Sequence, residues 1–405
     1  MMMHASQRPE AGDAAGSPLP GELARYAGWL GDRPHGWTFR EGTSAEPDWV
    51  PLRQEHAHRG GRMQSPVLPL DKPADEAAYY SLAFKARTAG HAYWWVDLFD
   101  AGGQWLPDIN SAVYPGDAIA DYRQMIYVER LAQRIQLAFD SRAGVQAGDL
   151  VLQRVQPDAA ATWCDRVYEA LPPLDFAPPS DAFDRLPRTA AALRDGRPWR
   201  VVMLGDSLMN DSFNSVFQAL VKRDFPRSNL DFTISVRGST GCWFYGQPEP
   251  FNQYVARHQP DLLMIGGISN LNEDRDDFAA GMRKVAAVIR QAQALGSEVI
   301  LLSPPFSTDW RPVDDRDPSA NLPVAAWTET MRSEKNNPFH AWTPYAETAR
   351  ACGAAFWNLT VPTVDYVARS RTPHGFFNRD AVHNNDRGKQ IIGRTLQRYF
   401  QTAGQ

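Results

Sequence analysis

From Trp199 onward the sequence alternates short, almost wholly apolar runs with longer amphipathic ones. WRVVML is followed by SLMNDSFNSVFQALVKR, LDFTISV, PDLLMIGG, a helix-like stretch from Asp274 to Leu295, SEVILLS, AAFWNLT and finally RGKQIIGRTLQRYF. A strand that is apolar at nearly every position has no face to offer to water, so both of its faces need cover. Helices between successive strands provide that cover and carry the chain back to start the next strand in the same direction. The pattern predicts a parallel sheet in a three-layer α/β/α arrangement, with AAFWNLT as its fifth strand and the last run as its closing helix.

The first third of the chain reads differently. Between Glu22 and Val155, short aromatic and β-branched runs are separated by Gly, Asp and Pro: YYSLAF at 79–84, AYWWVDLF at 92–99, RIQLAF at 134–139 and DLVLQRV at 149–155. In AYWWVDLF the period of two puts Trp94, Val96 and Leu98 on one face and Tyr93, Trp95, Asp97 and Phe99 on the other. Frequent turns and few helical stretches predict an antiparallel sandwich. A helix-like segment, Ala159 to Leu171, and the proline-rich LPPLDFAPPSDAFDRLP then mark a connector. A chain of 405 residues exceeds one ordinary core. The expected organisation is a flexible tail over 1–21, an all-β sandwich over 22–156, a helix and Pro-rich connector over 157–198, and the α/β domain over 199–405.

Composition narrows the function. A formal net charge of -5 provides no basic field for phosphates, so nucleic acid is not an expected partner. The chain has no run of about 18 apolar residues, so no membrane partner is expected either. The opening MMMHASQRPEAGDAAGSPLP lacks the basic and apolar regions of a signal peptide, and the expectation is a cytoplasmic protein, or a periplasmic or secreted one if a signal has been removed. Cys164, Cys242 and Cys352 fit no metal or disulfide spacing and read as free thiols. His56 and His58 stand two apart without a carboxylate or cysteine set and read as surface residues. Neither a metal nor a cofactor is expected, and the oligomeric state is left open.

Ser207, in VVMLGDSL, falls where an apolar strand stops and a helix starts. In open α/β sheets ligands bind at the carboxyl ends of strands, and a helix N-terminus there offers N–H groups to a developing anion. A serine that simply caps its helix gives the same local pattern. Far downstream, NRDAVHNNDRGKQIIGR places Asp380 and His383 three apart before the last helix. A serine hydroxyl becomes a useful nucleophile when an imidazole takes its proton, and a carboxylate holds that imidazole in the right tautomer. The bland alternative is a polar loop that caps the helix through Asn385 or Asp386.

GDSL after the first strand of the α/β region, together with DxxH before its last helix, resembles the SGNH (GDSL-like) hydrolases over roughly Trp199 to Arg398. The resemblance implies a flavodoxin-like α/β/α fold and a serine esterase with the triad Ser207, His383 and Asp380. It further implies an oxyanion hole built from the Ser207 N–H, a second-block glycine and a third-block asparagine. In VRGSTGCWF the glycine is Gly238 or Gly241, and Gly238 is preferred because it follows the strand directly. MIGGISNLNED departs from the family's Gly-x-Asn-Asp: spacing selects Ser269, residue type selects Asn270, and Asn270 is preferred. Trp243, Phe244 and Tyr245 then wall the substrate site or else pack in the core, with Trp243 and Tyr245 taken as substrate-binding. The segment 65–155 resembles jelly-roll carbohydrate-binding modules, with Trp94, Trp95 and Trp105 as a sugar platform or as core. Together these resemblances imply an acetylesterase acting on an acetylated oligo- or polysaccharide. A lipase or thioesterase acting on longer acyl esters, and a non-catalytic saccharide-binding protein, are the alternatives.

Overall fold

The computed structural model describes residues 21–32, 35–42, 49–266, 278–305, 339–370, 372, 374–380 and 382–404. The chain divides into two units, one formed by 1–74, 78–128 and 132–155, the other by 75–77, 129–131 and 156–405.

Among the described residues of the first unit the strands are β1 (Glu22–Trp29), β2 (Thr38–Glu41), β3 (Val50–Pro51), β4 (Gly61–Gln64), β5 (Leu68–Pro69), β6 (Ala78–Thr88), β7 (Ala92–Phe99), β8 (Trp105–Val113), β9 (Gly116–Val128), β10 (Arg134–Ser141) and β11 (Gln146–Val155). They form two antiparallel sheets, β1-β11-β6-β9 and β3-β2-β4-β10-β7-β8, with β5 also on β10. The sheets meet through their apolar faces, as where Phe84 of β6 and Phe139 of β10 touch edge to face at 5.1 Å. This is the expected sandwich. Trp94, Val96 and Leu98 all point into its core. Trp94 is 2% exposed and therefore cannot serve as a sugar platform. Asp97 departs from the simple alternation: it sits at a register shift between β7 and β8, is buried, and pairs with Arg62.

The second unit begins with α1 (Pro157–Glu169), two residues earlier than the sequence pattern suggests because Pro157 is accommodated in the first turn, where its missing N–H costs nothing. It continues through α2 (Pro187–Asp195), β12 (Pro198–Gly205), α3 (Ser207–Phe213), α4 (Phe217–Asp224), β13 (Asn229–Val236), α5 (Cys242–Tyr245), α6 (Pro248–Tyr254), β14 (Leu262–Gly266), α7 (Phe278–Ala294), β15 (Glu298–Leu302), α8 (Phe339–Ala351), β16 (Ala355–Trp357), α9 (Thr360–Ser370) and α10 (Asp386–Gln401). The strands run parallel in the order β13-β12-β14-β15-β16, which is the flavodoxin-like order 2-1-3-4-5.

Both faces of this sheet are covered, as the unbroken apolar strands require. On one side Val202, Leu204, Leu263, Ile265, Val299 and Leu301 pack with Val285, Val288 and Ile289 of α7 and Tyr345 of α8. On the other, Val201, Met203, Leu262, Met264 and Ile300 are buried, and Phe400 of α10 reaches Phe217, Phe232 and Trp357. Each such aliphatic side chain contributes about 1.5–3 kcal/mol on burial. The strand ends are therefore held by a dense core on each side.

Candidate active site

The chain order 2-1-3 places a switch point beside β12, the strand whose carboxyl end carries Ser207. The approach there is close. A Cβ on Gly205 would stand 1.8 Å from the Gly266 carbonyl oxygen, so the end of β12 can lie against β14 only if residue 205 has no side chain. Asp206 then caps α3, accepting the Leu208 N–H at 2.9 Å, and is itself buried. The capping task thus belongs to Asp206, and Ser207 is the first helical residue. Its own N–H has no acceptor within the helix.

A second segment comes to this strand end from the carboxyl-terminal side of the chain. His383 Nε2 lies 2.9 Å from Ser207 Oγ although 176 positions separate them. His383 Nδ1 is 3.0 Å from both Asp380 carboxylate oxygens. A carboxylate only accepts, so Nδ1 carries the proton and Nε2 is left to accept from the serine hydroxyl. Asp380 Oδ1 also accepts the N–H groups of Val382 and His383, each at 2.8 Å. Burial alone would raise the Asp380 carboxyl, but the hydrogen bonds from the His383 ring, the His383 N–H and the Val382 N–H outweigh it and hold the carboxyl below the usual carboxylate range. Asp380 therefore stays ionised beside the ring.

The loop is stopped by a cap. Asn385 Oδ1 accepts the N–H groups of Arg387 and Gly388 at the start of α10, and Asn385 Nδ2 donates to the Phe376 carbonyl at 2.9 Å. Asn385 does the capping, while His383 faces Ser207 and Asp380 holds the other side of the ring. Gly388 has to be glycine for a packing reason, since a Cβ there would meet the Phe377 carbonyl oxygen at 2.3 Å.

Gly238 is placed by strand register. Gly205 pairs with Val236 across β12 and β13, so Ser207 and Gly238 each stand two residues beyond paired positions at the ends of neighbouring strands. Gly238 is exposed and follows Arg237, whose N–H is bonded to the Tyr245 hydroxyl at 2.9 Å. Gly241 precedes α5 and is buried. Ser269 and Asn270 lie outside the described residues. Trp243 is half-buried, on the first turn after Gly241.

Tyr245 requires a correction, because it is not at a substrate surface. It is fully buried, its hydroxyl donates to the Gly205 carbonyl at 2.6 Å and accepts from Arg237, and burial raises its pKa far above the ordinary tyrosine value. An aromatic residue one turn along a short helix has its ring turned into the core, where its hydroxyl ties β12 to the segment after β13. The sequence reading also missed Asp211 and Arg379, which form a buried ion pair at 2.8 Å behind the loop. The available signal was an acidic residue four positions after Ser207, on the same face of its helix.

Neither a family model nor a curated protein sequence matches the chain. Its structure is similar to those of carbohydrate acetylesterases. The acetyl xylan esterase AlAXEase is 15% identical, with 49% of this chain and 97% of that chain covered and a TM-score of 0.37. A two-domain esterase, CEX, active on acetylated mannans, is 14% identical, with 55% of this chain and 53% of that one covered and a TM-score of 0.40. The Bacillus subtilis protein YxiM is 12% identical over 91% of this chain and 88% of its own, with a TM-score of 0.37.

Proposed function

We propose that this chain is a serine esterase that removes acetyl or other short acyl groups from a carbohydrate. The observation that carries the catalytic part is the continuous line from Ser207 Oγ through the His383 ring to the Asp380 carboxylate. Ser207 Oγ attacks the ester carbonyl carbon while His383 Nε2 takes the hydroxyl proton. The tetrahedral intermediate collapses by breaking the bond to the leaving alkoxide, which receives that proton from Nε2. The acyl-serine is then attacked by water, whose proton goes to Nε2 in turn. Collapse of the second intermediate frees the carboxylic acid and returns the proton to Ser207.

In this reading the Ser207 and Gly238 N–H groups and the Asn270 amide face the developing oxyanion, each such donor contributing about 2.7–4 kcal/mol in the transition state. The same reading takes half-buried Trp243 as a substrate-binding aromatic. The carbohydrate part of the reading rests on the sequence resemblance of the GDSL and DxxH blocks and of the aromatic sandwich.

The decisive experiment measures acetate released from a panel of acetylated oligosaccharides, alongside p-nitrophenyl esters of increasing chain length. We expect preference for acetyl-sugars and complete loss in Ser207→Ala with the fold retained. Wild-type turnover in folded Ser207→Ala would remove the esterase assignment, and faster cleavage of long acyl chains would move the substrate from sugar esters to lipids or thioesters.

A further inference from the structure

We infer that Asp211, acting through Arg379, is a positioning residue that fixes the His383 loop against the helix bearing Ser207. The inference rests on the esterase reading of that site and concerns how its geometry is maintained. Residues 207 and 211 are one turn apart on α3 and share a face. The Asp211 side chain is 2% exposed. Its Oδ1 accepts from Arg379 Nη1 at 2.8 Å and lies 3.7 Å from Lys389 Nζ, and its Oδ2 accepts the Asn384 N–H at 2.8 Å. Arg379 and Asn384 are the residues immediately outside Asp380 and His383. One carboxylate on the nucleophile's helix thus grips both flanks of the acid–base pair.

The loop is also closed on itself. Arg379 N–H donates to the His383 carbonyl at 3.0 Å, Arg379 Nη1 to the Asn384 carbonyl at 2.7 Å, and Asn384 Nδ2 to Asn378 Oδ1 at 2.8 Å. Arg379 Nε stands 3.9 Å from Asp380 Oδ2, so one guanidinium faces both the anchoring and the orienting carboxylate. The fork geometry of arginine permits this, whereas a lysine ammonium is a single point. Well-packed apolar side chains would serve stability at least as well as a buried ion pair. Here the charges instead define where the imidazole sits, and displacement of a reacting group by about 1 Å costs on the order of 100-fold in rate.

The test uses p-nitrophenyl acetate turnover of the full chain together with the rate at which a fluorophosphonate probe labels Ser207. Arg379→Met and Asp211→Asn should each lower kcat and the labelling rate about 10- to 100-fold with KM little changed, and Arg379→Lys should recover part of the loss. In a His383→Ala background, Arg379→Met should alter the residual rate by less than about two-fold, since the residue acts only through the imidazole. A purely structural role would give the same fold-loss in both backgrounds and would overturn the inference. So would wild-type kcat in folded Asp211→Asn. Should Arg379→Met fail to fold, Arg379→Lys retains the buried cation, and an unchanged kcat in that variant overturns the inference equally. Wild-type protein with no labelling of Ser207 would overturn the esterase reading and this inference together, whereas labelled wild type with unaffected variants overturns this inference alone.

Discussion

Tyr245 and Ser207 show how a side chain's task is set by what surrounds it rather than by the motif in which it stands. Both stand on short helices that follow a strand of the sheet, yet Ser207 is only partly buried with its hydroxyl against an imidazole, and Tyr245 is closed into the core with its hydroxyl between two backbone groups. Tyr245→Phe should therefore act on stability and leave KM for an acetylated substrate unchanged. The Arg237 N–H keeps a second acceptor in the Gly205 carbonyl at 3.2 Å, so the loss should be about 1 kcal/mol, the worth of one net hydrogen bond. Denaturant unfolding and Michaelis–Menten measurements on the same variant check both halves. A raised KM at unchanged stability would return Tyr245 to the substrate surface.

At the scale of elements, the start of α10 determines where the DxxH loop must end. The Asn385 side chain takes two N–H groups of the first turn and donates back to the Phe376 carbonyl, joining both ends of the loop that carries Asp380 and His383. Asn385→Ala loses the cap and leaves buried groups unpaired, and should cost about 1–2 kcal/mol. Because the loop is attached at this point, kcat should fall as well, by more than Tyr245→Phe lowers it. Parallel unfolding and rate measurements test the coupling, and a stability loss with wild-type kcat would show that the cap and the loop are independent. The same element also explains the competing readings of this segment: capping and acid–base roles coexist because different residues of one short stretch take them.

At the scale of the molecule, one buried histidine should shape the acid limit of the α/β unit. His258 is buried after α6, and its Nε2 accepts from Arg257 Nε at 3.1 Å, so the neutral ring is the one that fits. Burial first, then the nearby Arg257 and Arg130 cations, lower its pKa from 6.5 to about 4. The folded state thus binds this proton less readily than the unfolded chain. The associated stability is fully present above about pH 6.5 and is lost as pH falls through about 4. Unfolding midpoints measured from pH 7 to pH 4 should decline in that window, and the decline should flatten in His258→Phe. An equal decline in both proteins would assign the pH dependence to other groups.

The sequence by itself determined the layers and the triad candidates, because these depend on local rules. Apolar runs such as VVML and ILL cannot lie at a surface, alternation in AYWWVDLF gives one buried face, and GDSL and DxxH each stand at a strand-to-helix or loop-to-helix boundary that local composition reveals. Only the tertiary structure decided which serine meets which histidine, since a 2.9 Å contact across 176 positions is a product of strand order and is encoded in no single segment. It also decided that Asp206 and not Ser207 caps α3, that Trp94 and Tyr245 belong to cores, and that Asp211 holds Arg379. A cap, a core aromatic and a buried ion pair all use residue types that are equally at home on a surface or in a site. Their roles are fixed by partners brought from distant parts of the chain, and those partners exist only once the sheet has ordered them.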